Sequence, residues 1–394
     1  MSKNYSQDIE APLLGGGNTL TDDYRFQRYR RVAKASLWIS VIALIFSFAS
    51  FHRGVIVTTS NQADTTPAAA ISTFELEELS YHRCVDPSIT DTYTFTVPVD
   101  EYHGLITDEH LHHSVIHFEG GHASVRVNPD IKDIIVRYEI QYQFEEDKDH
   151  IRIESRDAEN EQGVRHITFI VDDHDNDHHH RHCLVWDLII ELPTEDALEK
   201  LSIGVANHNV GLYDAFTFDR LSIGTANGNI QYHTQGVVAS SSSLSTANGN
   251  IIVHGATSTT KSSFSTANGN VQAQFDRLEG DHASSTSSGN INFSAFAIGK
   301  ESSEKDTVPT TISLSSSAGS IDATVPDSFH SKFTANTVLG KAIVRSEEHP
   351  EKVHFKSQGR FSKHGYYGDS ENDIQDGNRI SASTTVGHAF ITYA

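Results

Sequence analysis

The sequence predicts an all-β fold: a parallel β-helix, or solenoid, ectodomain with a period of about 20 residues, preceded by one transmembrane helix. Three observations predict it. A short motif recurs at nearly constant spacing, strand-type alternation fills the gaps between its copies, and one uncharged apolar run lies near the N-terminus.

The motif is Ser-Thr-Ala-Asn-Gly-Asn, at 245–250 and 265–270, with a near copy at 224–229. Looser copies lie at 205–209, 286–290 and 316–320. Their central residues are His208, Gly228, Gly249, Gly269, Gly289 and Gly319, separated by 20, 21, 20, 20 and 30 residues. An apolar β-branched residue follows each copy: Val210, Ile230, Ile251, Val271, Ile291 and Ile321. Self-similarity at such a period marks stacked units. Between the corners, runs such as Leu244-Ser245-Thr246 and Ile251-Ile252-Val253 have strand chemistry, with side chains pointing alternately in and out. Asn-Gly supplies the positive φ of a sharp corner. Asn-Gly also marks two-residue hairpins, so a meander is the rival reading. A meander gives no reason for one corner to recur every 20 or 21 residues. A solenoid does, because coils stack at roughly 4.8 Å and place like residues above like. Stacked Asn side chains can then bond along the ladder. The 30-residue gap fits one coil with an inserted loop, Gly299 to Pro309.

The run Leu188–Pro193, then Leu198–Ile203, then repeated Asn-Gly-Asn-Ile corners, resembles the putative adhesin family of β-helical domains. The resemblance covers about Ile134 to the C-terminus. It implies a β-helical fold and an adhesive or binding role. Gly377–Ile380 with Thr384–Ala389 resembles a last coil, in which His388 takes the place of the usual polar corner residue.

Along the chain, residues 1–34 read as a cytosolic disordered tail, polar and with Gly15-Gly16-Gly17. Glu10–Leu14 is similar to an acidic dileucine sorting signal, with the acid one position off; the other reading is an ordinary tail. Residues 35–57 read as a transmembrane signal anchor. Ala35–Phe51 is uncharged, and Arg53 can snorkel to extend the span. A buried core helix and a cleaved signal peptide are the alternatives; no helical neighbour and no small-x-small cleavage site support them. Arg25, Arg28, Arg30, Arg31 and Lys34 precede the run against Arg53 after it. The N-terminus is therefore expected in the cytosol and the C-terminal bulk outside the cell or in the secretory lumen. Residues 58–80 form a Ser/Thr/Pro-containing stalk. Residues 81–200 are an N-terminal β region expected to cap the solenoid. There Val136, Tyr138, Ile140, Tyr142 and Phe144 alternate with polar residues, and Ser114–Phe118, Ala123–Val127, His150–Glu154, Arg165–Val171 and Leu184–Leu192 read as further strands. Residues 201–394 are the repeat region.

The formal charge is −22, which argues against nucleic acid as a partner. It is unevenly placed: residues 1–34 carry a net +2 and residues 52–394 a net −24, together with all 24 histidines.

Cys84 and Cys183 are the only cysteines, and on this topology they face an oxidising compartment where a pair is usually a disulfide. The alternative is two thiols too far apart. The run Asp172–His182 is the most unusual local feature. His174, His178, His180 and His182, interleaved with carboxylates, suit weak Zn or Cu binding; a solvated loop between two strands is the competing reading. His110, His112, His113 and His117 form a looser group without the zinc-protease pattern. No nucleophile elbow, phosphate loop or dinucleotide fingerprint is present, so no cofactor is expected. Asn292-Phe293-Ser294 is the one glycosylation sequon on the outer side.

Two functions of different class follow. One is a membrane-anchored, adhesin-like surface or lumenal protein with a structural or binding role, its partners cell-surface glycans or proteins. The other is a polysaccharide-active β-helix enzyme, a lyase or glycosidase, which needs carboxylates clustered on one face. In the best repeats the polar positions are Ser, Thr, Asn and Gln, which favours binding. The charge and the histidines also predict acid-promoted self-association.

Overall fold

A computed structural model describes residues 89–111, 117–118, 121–143, 145–159, 161–171, 183–299 and 308–394. The tail, the apolar run and the stalk lie outside them. The described helical elements are three short 3-10 turns, Glu145–His150, Pro350–Lys352 and Glu371–Asp373. No described helix is long and apolar enough to cross a membrane.

Everything regular otherwise is strand, and the alternation read from the sequence is the alternation of burial. In Val238–Asn248, Ser242, Leu244 and Thr246 point inward between exposed or half-buried neighbours. Each coil has one strand before the Asn-Gly corner and one after it. Equivalent strands pair in parallel one coil apart. After the corner the register runs Val210 to Ile230 to Ile251 to Val271 to Ile291 to Ile321. Before it the register runs Ile203 to Ile223 to Leu244 to Phe264 to Ser284 to Leu314. Residues 20 or 21 apart in sequence therefore lie side by side. A hairpin meander would pair neighbours antiparallel across each Asn-Gly, and these strands do not.

Three hydrogen-bonded ladders hold the corners. Side-chain amides link Asn207, Asn227, Asn248 and Asn268, each Nδ2 donating to the preceding Oδ1 at 2.7–2.8 Å. The second Asn of each motif accepts the backbone N–H of its equivalent one coil on, as from Asn250 to Asn229 at 2.8 Å and Asn270 to Asn250 at 2.9 Å. Inward hydroxyls of Thr225, Thr246, Thr266 and Thr286 donate to the corner carbonyl of the coil before, at 2.9–3.1 Å. Each net bond contributes about 1 kcal/mol, and repetition makes the sum large.

The corner glycines have a different cause from the one expected. Gly289, Gly319 and Gly387 do have positive φ, at 153°, 152° and 133°. Gly228, Gly249 and Gly269 do not; their requirement is the approach of stacked backbones. A Cβ on Gly269 would lie 1.9 Å from the Gly249 carbonyl oxygen.

Coil order departs from sequence order at both ends. The Gly104–Val127 coil lies between the Val164–Leu192 coil and the Lys200–Leu212 coil. The C-terminal coil, Arg379–Tyr393, lies between the Thr311–Val325 coil and the Ser331–Ser346 coil. Antiparallel strands then finish the sheets. Ile151–Asp157 pairs with Val164–Val171, and Ile134–Tyr142 followed by Ile89–Val97 pairs with Cys183–Leu192. At the other pole the hairpin Val353–Tyr367 pairs with Ser331–Leu339. The interior enclosed by the coils is mainly apolar, apart from the inward hydroxyls. Its N-terminal end is aromatic, with Tyr138, Phe169 and Trp186 in mutual contact. Its C-terminal end is closed by Tyr367 stacked on Tyr393 at 3.9 Å.

Candidate functional site

Among the described residues, an acid and a histidine sealed inside the coils meet at the N-terminal end. Strand Gly104–Leu111 alternates Leu105, Thr107 and Glu109 toward the interior, so Glu109 falls where later coils carry the hydroxyl ladder. His208 stands where every later corner has glycine. Both side chains are sealed, at 5% and 4% exposure, with His208 Nδ1 3.4 Å from Glu109 Oε1. His208 Nε2 lies 2.8 Å from the Trp186 carbonyl oxygen and its ring packs on the Trp186 ring, centroids 4.0 Å apart. A carbonyl only accepts, so Nε2 carries the hydrogen and Nδ1 presents a lone pair. Glu109 Oε2 accepts the Ala206 backbone N–H at 2.9 Å. Among the described residues neither Oε1 nor Nδ1 has another hydrogen-bond partner. Two facing lone pairs would repel, so the geometry requires one proton between them.

The electrostatics put that proton on the glutamate. Burial pushes Glu109 up to about 8, Asp108 adds to the shift, and the Ala206 N–H opposes it. Burial pushes His208 down to about 4; the Trp186 carbonyl and Asp187 oppose this, and His122 assists it. At neutral pH the pair is a carboxylic acid against a neutral imidazole. Sealed from solvent, it can hold a proton but cannot meet a substrate.

His282 repeats the theme deeper in. It is 1% exposed, its Nδ1 lies 2.6 Å from Ser262 Oγ and its Nε2 2.8 Å from Ser284 Oγ, and burial lowers it to about 3. Phe264, Phe275 and Phe293 surround it. Serine beside histidine here is a satisfied core cluster without access to solvent.

On the outer face of the sheet that contains Trp186 lies a shallow depression of about 470 Å³. His122, Ser124, Arg126, Asp187, Tyr213 and Asp214 line it. Its carboxylates already serve the backbone: Asp187 Oδ1 accepts the His122 N–H at 2.6 Å and Asp214 Oδ2 the Val127 N–H at 2.7 Å. Tyr213 stacks on His233 at 4.2 Å. An aromatic face beside fixed polar groups suits an uncharged polar ligand better than acid–base chemistry.

His174, His178, His180, His182, His112, His113 and Cys84 lie outside the described residues. Cys183 opens the strand Cys183–Leu192, so the disulfide is not placed. His110 is exposed on Gly104–Leu111, and His117 is on the two-residue strand His117–Phe118. Among the described residues no group of three metal-ligating side chains comes together. Asn292 is exposed as the second residue of the strand Ile291–Ile298, just past the Gly289-Asn290 corner and opposite Gln272 and Asp322. His388 does fill the polar corner position: its Nδ1 accepts the Lys341 N–H at 3.1 Å, as the Asn oxygens do in earlier coils. Glu109, His208 and His282 were missed as a buried polar set. The one signal in the sequence was His208, a histidine in place of a repeated glycine.

The Toastrack DUF4097 family profile matches residues 145–375. The chain belongs to the Toastrack DUF4097 family. Among solved structures it is similar to a putative adhesin from Bacteroides fragilis, at 12% identity and a TM-score of 0.38, covering 78% of this chain and 98% of that one. A putative adhesin from Parabacteroides distasonis matches at 11% identity and a TM-score of 0.40, over 78% and 97%. A putative lipid binding protein from the same species matches at 11% identity and a TM-score of 0.34, over 78% and 97%. No curated protein matches the chain.

Proposed function

We propose that this Toastrack chain is a non-catalytic, adhesin-like binding and structural module carried on an N-terminal membrane anchor, its solenoid outside the cell or in the secretory lumen. The observation that carries the reading is the sealing of the Glu109–His208 pair. The outward repeat positions are amide and hydroxyl side chains engaged in ladders, and the carboxylates of the outer depression are bonded to backbone amides. Such a face binds through shape and hydrogen bonds. Cell-surface glycans or proteins are the expected partners, with the Tyr213 depression as the first place to look. Polysaccharide cleavage is the second reading, and it needs two carboxylates free to reach one glycosidic bond. The two separate in one assay, in which the protein is incubated with a panel of acidic and neutral polysaccharides. Retention on a glycan surface that Tyr213→Ala weakens, with no new reducing ends and no unsaturated products, is the expected result. Release of product that Asp187→Asn or Asp214→Asn abolishes would establish the enzyme reading instead.

A further inference from the structure

The corner ladder changes character at its C-terminal end. Its outward position is Asn227, Asn248, Asn268 and Ser288 in successive coils, then Ala318, Val386 and Leu339. Val386 is 48% exposed and Leu339 63%, and Val338, Phe361 and Ile343 beside them are 62%, 44% and 36% exposed. The turn Gly359–Ser362 brings Phe361 there, because the Phe361 and Arg360 carbonyls accept the Thr337 and Ala342 N–H groups at 2.8 and 3.1 Å. A contiguous apolar patch on a soluble surface marks an interaction site.

Two further observations say what covers it. Residues 326–394 carry eight acids and eight bases, a net of zero, whereas residues 52–325 carry sixteen bases and forty acids, a net of −24. Two copies repel wherever they present the acidic part, and this pole is where that repulsion is least. The strand Ala342–Ser346 is also the end of its sheet: among the described residues it pairs only with Ala389–Tyr393. The other sheet ends carry antiparallel finishing strands. The Arg360 carbonyl takes the outward N–H of Ala342, so this edge is met by the turn that carries Phe361, and the apolar side chains around it are what a second copy can cover.

We propose that the C-terminal pole is a self-association face. Two copies meet about a two-fold axis, with Leu339, Ile343 and Phe361 of each buried against the other. An isologous contact of this kind closes at two copies and leaves the acidic poles pointing apart. It does not depend on which ligand the outer depression takes.

The test is sedimentation of the full chain in a non-ionic detergent at micromolar concentration and neutral pH. The expected wild-type mass is that of two chains, falling by half in Leu339→Glu with Ile343→Glu. Phe296→Glu is the matched control, since Phe296 is 65% exposed on another part of the surface; that variant stays dimeric. Unchanged resistance to protease shows that the pole variant is folded. A monomeric wild type overturns the proposal, as does a dimer that the pole variant leaves intact or that Phe296→Glu disrupts.

Discussion

The pair of Glu109 and His208 predicts an unusual dependence of stability on pH. In the folded chain Glu109 is raised to about 8 from 4.5, and His208 is lowered to about 4 from 6.5. A raised folded value favours folding where the group is protonated, and that stability is lost as pH rises through the folded value. A lowered histidine has the opposite effect: stability is lost as pH falls from the unfolded value toward the folded one. Between pH 4.5 and 6.5 the two cancel in proton count. The unfolded chain holds one proton on His208, the folded chain one on Glu109, and the pair contributes no slope. Above 6.5 the unfolded pair holds none while the folded pair holds one until about 8. Stability should then fall by about 1.4 kcal/mol per pH unit, about 2 kcal/mol across the window. Glu109→Gln removes the titrating group, and its amide can donate to Nδ1. Urea unfolding at several pH values between 6 and 8.5 is the assay, read as the difference between wild type and Glu109→Gln. Because His208 still titrates on unfolding in the variant, that difference should shift steadily in the variant's favour by about 1.4 kcal/mol per pH unit from pH 6 to about 8 and level off above it, while the wild type alone is flat below 6.5. A difference independent of pH would show that Glu109 is ionised throughout, and would refute the shared proton.

Three other perturbations follow. Gly269→Ala places a methyl group 1.9 Å from the Gly249 oxygen, so two adjacent coils must part and two or three ladder bonds weaken; the expected cost is about 3 kcal/mol in urea unfolding. Gly224→Ala, whose nearest neighbour would be Ser245 Oγ at 3.4 Å, should change stability by less than about 0.5 kcal/mol, and equal costs would refute the argument from close approach. Removing residues 379–394 takes out a coil from between two others and uncovers Ile312, Leu314, Phe333 and Ala335; limited proteolysis should find no resistant core near the C-terminus. Acidification should raise the scattering mass beyond the neutral-pH species, because lowering the pH reduces the negative charge by which copies repel, although the buried His208 and His282, lowered to about 4 and about 3, contribute nothing to that change; association that ignores salt, or unchanged mass from pH 7.5 to 5, would defeat the charge argument.

The solenoid was legible because its cause is repetition. Each ladder needs the same residue at the same height, so hydrogen bonding along the stack leaves Asn-Gly-Asn written at the coil period. The role of Gly228, Gly249 and Gly269 was misjudged because positive φ and close backbone approach select the same residue. Glu109 could not be found from periodicity. Alternation places it inward, but only the insertion of the Gly104–Val127 coil beside the Lys200–Leu212 coil brings it to His208. That insertion joins residues nearly 100 apart and leaves no local mark. The same holds for Leu339 and Val386, adjacent in space and 47 apart in sequence.

Both inserted coils answer the same physical problem. A stack of parallel strands ends in two open edges and an open core. If the chain simply stopped at its last coil, that coil would have one neighbour and would fray. Here the C-terminal strands Arg379–Val386 and Ala389–Tyr393 have a partner on each side. The coil left outermost, Ser331–Ser346, is held at both of its ends by chain, and the Val353–Tyr367 hairpin covers one of its strands. At the opposite pole the Gly104–Val127 coil is enclosed in the same way, with Val164–Leu192 outermost. The exchange has a kinetic consequence. The central coils can stack as they are made, each on the one before. The Arg379–Tyr393 coil must instead enter a gap between two coils that precede it in sequence, so the Thr311–Val325 and Ser331–Ser346 coils cannot complete their ladders until residues 379–393 have been made.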